Sequence, residues 1–344
     1  MIYAILFNPN HKRVYFEASQ RLSLTEFEIC ASGFSVSYSD LQIQEIAGAA
    51  YLTFATAKEL SQADIAIISE LSFAHTLNVL ENFDNEVYLR PIAKRKAAFV
   101  DEGFGTMLKY TGKTNETFTR MMLNVAYYSQ EKREGVHLLD PIAGKGTTLF
   151  EGLVKGFNVF GIEIVDDLVS ECYHFTKRFF ETAKYKFSHD AMRISGANKA
   201  FTALRHTFDV APTKEMHKNK DTRAIEFVAG NSLYANTYYK RNSFDLLVGD
   251  LPYGIQHRNV AREKQSAFTR NPHELLSVCL PAWVEVLKKG GVIALSWNCN
   301  VLERGKIEEL FTQNGLHVKN DPVFLQFEHR VDQAILRDMI VAQK

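Results

Sequence analysis

Cysteine is scarce, with Cys30, Cys172, Cys279 and Cys299 scattered and no C-x-x-C pair among them. That spacing excludes a disulfide framework and a zinc knuckle, and reduced thiols in the cytoplasm are the expectation. An excess of one charge is also missing, since 40 Lys+Arg balance 40 Asp+Glu. No global field draws the chain to nucleic acid or to an anionic membrane, so any nucleic-acid face has to be a local patch. Nowhere do eighteen apolar residues follow one another, and the apolar run Ile2–Phe7 has no basic leader. Neither a membrane span nor a secretory signal is expected. Metal-ligand spacings, internal repeats and low-complexity tracts are absent as well.

What is present is an ordinary globular mixture, 344 residues with 46% hydrophobic and 23% charged, enough for one large or two ordinary domains. From about residue 136 onward, short apolar runs alternate with longer amphipathic segments, the rhythm of a mostly parallel sheet covered by helices. Strands are predicted at Val136–Asp140, Asn158–Ile162, Ala224–Val228, Phe244–Gly249 and Gly291–Trp297. Helices are predicted at Glu116–Ser129, Thr147–Lys155, Asp166–Phe180, Pro272–Lys289 and Arg304–Asn314. Runs at Val318–Asn320, Val323–Glu328 and Ala334–Ala342 read as strands that close the sheet antiparallel. The fold class is therefore α/β, a Rossmann-like mixed sheet of seven strands.

Residues 1–90 read as a small α+β domain, ferredoxin-like or a diverged THUMP-like module and a candidate for RNA binding, with 91–116 as linker and 117–344 as the catalytic domain. In the small domain, strands are expected at Ile2–Phe7, Ser35–Tyr38, Ala50–Phe54 and Ile65–Ile68, with helices at Leu41–Gly48 and Phe73–Glu81. A locally basic insertion spans 183–223. It suits phosphate binding by counterion release and, equally, a solvated helical excursion.

The first catalytic-domain strand breaks at Pro141 into Ile142-Ala143-Gly144-Lys145-Gly146 and opens into a helix at Thr147. Glycines let such a loop touch a ligand at the carboxyl end of the sheet. A dinucleotide fingerprint would need glycine where Leu149 stands. A phosphate loop ending in Gly112-Lys113-Thr114 would need glycine where Met107 stands. The second strand runs into Glu163 and Ile164, and a carboxylate at that tip can accept both hydroxyls of a ribose. The third is followed by Asn231-Ser232, an amide and a hydroxyl able to bond the edge of an adenine ring, although Gly-Asn-Ser is also a turn sequence.

The fourth strand runs into Asp250-Leu251-Pro252-Tyr253-Gly254, which places an acid, a rigid proline and an aromatic ring at one strand tip. With the glycine loop and the strand-tip glutamate before it, this order of motifs resembles class I amino-methyltransferases. More closely, it looks like the RNA guanosine N2-methyltransferases that usually carry a THUMP domain, over about residues 117–344. The resemblance implies S-adenosylmethionine as cofactor, with Asp140, Ala143, Gly144, Gly146 and Thr147 lining it. Glu163 and Ile164 would lie at its ribose, Asn231 and Ser232 at its adenine, and Asp250 beside it. It implies further that Asp250, Leu251, Pro252 and Tyr253 hold the target base of an RNA, most often tRNA; the basic loop that follows the strand tip makes Gly254, His257 and Arg258 candidates for contacting that RNA. Leu251 replaces the commoner first proline; since the acceptor there is a backbone carbonyl, leucine keeps the chemistry. A THUMP module with its usual companion needs well over a hundred residues, more than are present before the catalytic domain. Two rival readings remain at this point, an adenine N6-methyltransferase of DNA or RNA and an inactive RNA-binding protein that retains the fold. The pairs Phe179-Phe180 and Tyr238-Tyr239 could stack bases, but core packing suits them better.

Overall fold

The computed structural model describes residues 1–8, 13–84, 86–94, 98–107, 115–131, 133–196, 201–253 and 271–344. Two compact units divide the chain, one formed by residues 1–97 with 320–329 and the other by 98–319 with 330–344.

In the first unit the order is β1 (Ile2–Phe7), α1 (Arg13–Cys30), β2 (Tyr38–Ile46), β3 (Ala49–Thr56), α2 (Gln62–Glu70), β4 (Ala74–Phe83) and β5 (Glu86–Ile92). The sheet runs β2-β3-β1-β4-β5 with every pairing antiparallel. This is the split β-α-β, ferredoxin-like arrangement with one strand added at an edge. Alternate residues Tyr3, Ile5 and Phe7 are all buried, as a strand with a covered face requires. Four local expectations are corrected. Of Ser35–Tyr38 only Tyr38 lies in a strand, Leu41–Ile46 and Ala74–Glu81 lie in strands, and Ile65–Ile68 lies in a helix. A capping box starts that helix: the Ser61 hydroxyl accepts the Asp64 N–H, and the Asp64 carboxylate accepts the Ser61 N–H. Ile65 and Ile68 then share its buried face. For β2 and β4, ladder bonds to β3 and β1 override the local helical spacing. The segment expected as a strand at Val323–Glu328 is another correction. It begins with a 3-10 turn at Pro322–Leu325, and its Phe324 and Phe327 are buried. Arg21 of α1 donates to the Glu328 carbonyl, which ties this segment to the first unit.

The second unit begins with α3 (Gly103–Thr106), α4 (Glu116–Tyr128), β6 (His137–Asp140), α5 (Thr147–Val154), β7 (Asn158–Glu163) and α6 (Asp166–Thr182). Then follow β8 (Lys186–Ser195), β9 (Thr202–Ala211), α7 (Lys214–Lys218), β10 (Arg223–Ala229), α8 (Ala235–Tyr238) and β11 (Phe244–Asp250). The last elements are α9 (Pro272–Val286), β12 (Leu287–Asn298), α10 (Arg304–Gln313), β13 (His317–Val318), the two-residue β14 (His329–Arg330) and β15 (Leu336–Gln343).

Its sheet runs β13-β15-β12-β11-β6-β7-β10-β9-β8. The stretch from β13 to β10 is a mixed sheet of seven strands, parallel from β12 to β10, with β15 antiparallel to both β12 and β13. Beyond it, 183–223 is no helical excursion: β9 pairs antiparallel with β10, and β8 with β9. One of its basic residues, Arg205, turns inward, 3.1 Å from Glu226 and donating to the Tyr238 carbonyl at 2.6 Å. The helix expected to reach Lys289 stops at Val286, where β12 starts, and Lys288 instead bonds Asp245 at 2.7 Å. Trp283 and Trp297 sit in the core between the sheet and α9, each fully buried, with indole N–H groups donating to the Ser232 hydroxyl at 2.8 Å and the Leu302 carbonyl at 2.7 Å. Phe179, Phe180 and Tyr238 are also buried, in keeping with packing rather than base stacking.

Candidate active site

The chain moves outward from β6 to β7 and β10, then returns to β11 on the other side of β6. That reversal leaves a crevice at the carboxyl ends of β6 and β11, the position where open α/β sheets bind ligands. Asp140 ends one strand and Asp250 the other. The two tips lie close: a Cβ placed on Gly249 would be 3.2 Å from Asp140 Oδ1.

The glycine loop is held by its own backbone. Ala143 N–H donates to the Ile162 carbonyl at 2.9 Å, and Gly146 N–H to the Ala143 carbonyl at 2.7 Å. Gly144 has φ of +52°, and a Cβ there would meet nothing within 4 Å, so the left-handed turn leaves open space beside the strand tips. Gly146 caps α5, whose first residue, Thr147, is buried. Lys145 turns away to pair with Glu171 of α6 at 2.6 Å. From β7, Glu163 accepts the Gly144 N–H through one carboxylate oxygen and the Val165 N–H through the other, both at 2.9 Å. The carboxylate keeps acceptor capacity for a further donor. Burial raises the Glu163 pKa, and the Val165, Gly144 and Ile164 N–H groups counter it. Asp140 is buried, and its pKa is pushed up to about 7 by desolvation; the Thr148 hydroxyl and the Ile142 N–H offset part of this, while the nearby Asp250 and Glu163 add to it.

The remaining predicted residues divide by what holds them. Asn231 is exposed and accepts the Leu233 N–H at 2.9 Å, which fixes the loop after β10. Ser232 is buried and accepts the Trp283 indole, so its hydroxyl serves the core. Ile164 lies exposed just past Glu163. At the tip of β11, Leu251 is buried and its N–H donates to the Ser296 carbonyl at 2.8 Å, while Pro252 is partly exposed. The Tyr253 hydroxyl donates to Asp250, 2.7 Å from Oδ1 and 2.6 Å from Oδ2. Burial and the adjacent Asp250 charge raise the Tyr253 pKa far above its ordinary value, so it acts as a neutral donor. Gly254, His257, Arg258 and the Gly112-Lys113-Thr114 run lie outside the described residues.

Sequence reasoning missed Ser296, Asn298 and Arg337. The Ser296 hydroxyl donates to Asp250, and Arg337 lies 3.9 Å from the same carboxylate. Asn298 donates to the Tyr253 carbonyl at 3.5 Å. Arg337 and Asp338, two charges opening a mostly apolar terminal strand, were the local hint. Among the described residues, no cluster of His, Cys, Asp or Glu could hold a metal, and no helix is long and apolar enough to cross a membrane.

The donor set fits S-adenosylmethionine: acidic groups suit its cationic sulfonium and amino groups, and Glu163 has acceptor capacity for ribose hydroxyls. Strand order, the switch-point crevice and the glycine loop together define a Rossmann-like class I methyltransferase. The chain belongs to the UPF0020 family, the RMKL-like methyltransferase domain, whose model matches residues 106–303, more than half of the 344. It is thus a methyltransferase with S-adenosylmethionine as its methyl donor. No curated protein matches the chain significantly. Among solved structures it is similar to a TehB-like SAM-dependent methyltransferase from Corynebacterium glutamicum, at 14% identity and TM-score 0.35 over 61% of this chain and 80% of that one. It is also similar to a SAM-dependent methyltransferase from Archaeoglobus fulgidus, at 11% identity and TM-score 0.35 over 67% and 92% of the two chains. A third is the ribosomal protein L11 methylase of Lactobacillus delbrueckii subsp. bulgaricus, at 12% identity and TM-score 0.36 over 67% and 80%.

Proposed function

We propose that the protein methylates the exocyclic amino nitrogen of a nucleobase in RNA, guanosine N2 in tRNA being the favoured target. The observation that carries this is the Asp250 carboxylate, held at a strand tip beside the cofactor crevice by the Tyr253 and Ser296 hydroxyls. An aromatic amino nitrogen is a poor nucleophile because its lone pair is delocalised into the ring. Hydrogen bonds from its two N–H groups to Asp250 and the Leu251 carbonyl draw it toward tetrahedral geometry. Arg337 lies over the Tyr253 ring, 5.2 Å from its centroid, and the base would stack on the opposite face. S-adenosylmethionine, when bound, supplies the electrophilic methyl group. The contribution of the chain is alignment, and after transfer Asp250 is the group placed to take the amino proton. The resemblance of Asp250-Leu251-Pro252-Tyr253-Gly254 to RNA guanosine N2 enzymes favours guanosine, and the separately folded first unit is the candidate for capturing the RNA.

The test is mass spectrometry of nucleosides from tRNA and rRNA with and without the gene. Loss of a methylguanosine from tRNA is expected, and unchanged profiles in both RNAs would overturn the reading. Labelled methyl transfer to duplex DNA but not to tRNA would transfer the assignment to adenine N6.

A further inference from the structure

We propose that Ser296 and Arg337 are positioning residues for methyl transfer, locking the Asp250 carboxylate and the Tyr253 ring into one preorganised unit; this rests on reading Asp250 as the acceptor of the amino group. Ser296 stands opposite Asp250 in the parallel register of β11 and β12. It grips that strand tip twice, its carbonyl accepting the Leu251 N–H at 2.8 Å and its hydroxyl donating to Asp250 Oδ1. An aspartate has two side-chain torsions, and hydroxyl donors from Ser296 and Tyr253 leave it one orientation. The carboxylate is then fixed in direction before any substrate arrives, which is where electrostatic and positional catalysis gain most.

Arg337 arrives from β15, which pairs it with Asn298 of β12. Its side chain is only 4% exposed and lies 3.9 Å from Asp250 Oδ2. The guanidinium carbon sits 4.5 Å from the centroid of the Phe118 ring and 5.2 Å from that of Tyr253. A flat cation between two rings, beside a carboxylate, fixes the tilt of the tyrosine as well as the position of the charge. Lysine keeps the charge but lacks the plane. Asn298 completes the arrangement by donating to the carbonyls of Tyr253 at 3.5 Å and Ala334 at 3.2 Å, joining the catalytic loop to the segment leading into β15.

The experiment compares full-length wild type with Ser296→Ala, Ser296→Thr, Arg337→Lys and Asp250→Ala, using tRNA from a strain lacking the gene as substrate. Thermal midpoint, S-adenosylmethionine affinity by calorimetry, and kcat and KM for tRNA are read for each. Ser296→Ala and Arg337→Lys should lower kcat by roughly a hundredfold with cofactor affinity within about twofold of wild type, and Ser296→Thr should recover most of the loss. The inference is overturned if both variants keep wild-type kcat, or if kcat falls only in proportion to cofactor affinity or folded fraction. An inactive Asp250→Ala beside fully active Ser296→Ala and Arg337→Lys overturns the positioning role alone. An active Asp250→Ala overturns the reading of Asp250 and this inference with it.

Discussion

Replacing Asp140 by asparagine is expected to flatten the pH dependence of stability in the ligand-free protein. The carboxyl is buried and titrates at about 7, against 3.8 for an unperturbed aspartate. Between those values the folded state keeps a proton that the unfolded chain has released, so stability falls as pH rises from 3.8 and levels off above 7. At 1.36 kcal/mol per unit, holding the charge inside costs about 4 kcal/mol once ionisation is complete, most of it incurred above pH 5. Wild type should therefore lose about 3 kcal/mol more than Asp140→Asn between pH 5 and pH 8. Urea denaturation of both proteins at the two pH values measures this double difference, and groups that titrate alike in both cancel. A wild-type-minus-variant difference that stays flat across the range would refute the assignment of a neutral, desolvated Asp140. In the intact site, the cationic cofactor offsets the charge, so the same variant should bind S-adenosylmethionine less tightly at pH 8.

Asp250→Ala should reduce methyl transfer by roughly a hundredfold or more while cofactor binding persists, read by single-turnover transfer and calorimetry. Glu163→Ala removes the acceptor shared by Gly144 and Val165, so cofactor affinity should fall by roughly tenfold or more, whereas KM for tRNA in saturating cofactor changes little. Gly161→Ala brings a Cβ to 2.5 Å from Leu149 and 2.9 Å from Ala143, which should lower stability by about 1–3 kcal/mol in urea titrations and weaken the cofactor loop. Tyr253→Phe keeps the ring but removes a donor to Asp250, and a smaller loss of kcat than in Asp250→Ala is the expected kinetic outcome.

By itself the sequence determined the elements whose signals are local. The glycine loop after β6, the strand-tip Glu163 and Asp250-Leu251-Pro252-Tyr253 could be read directly because turns, breakers and strand ends depend on a few adjacent residues. The βα rhythm placed the central strands within a few residues for the same reason. Tertiary structure decided what depends on a distant partner. Leu41–Ile46 carries helical spacing yet becomes a strand, because β3 supplies its ladder. The insertion at 183–223 becomes a hairpin because β10 offers an open edge, and Val323–Glu328 stays out of the catalytic sheet, with Phe324 and Phe327 buried and the segment grouped with the first unit. The same holds within the site: nothing near Ser296 or Arg337 in the chain marks them as partners of Asp250. Only the register of β12 against β11, and of β15 against β12, brings a hydroxyl and a guanidinium to that carboxylate.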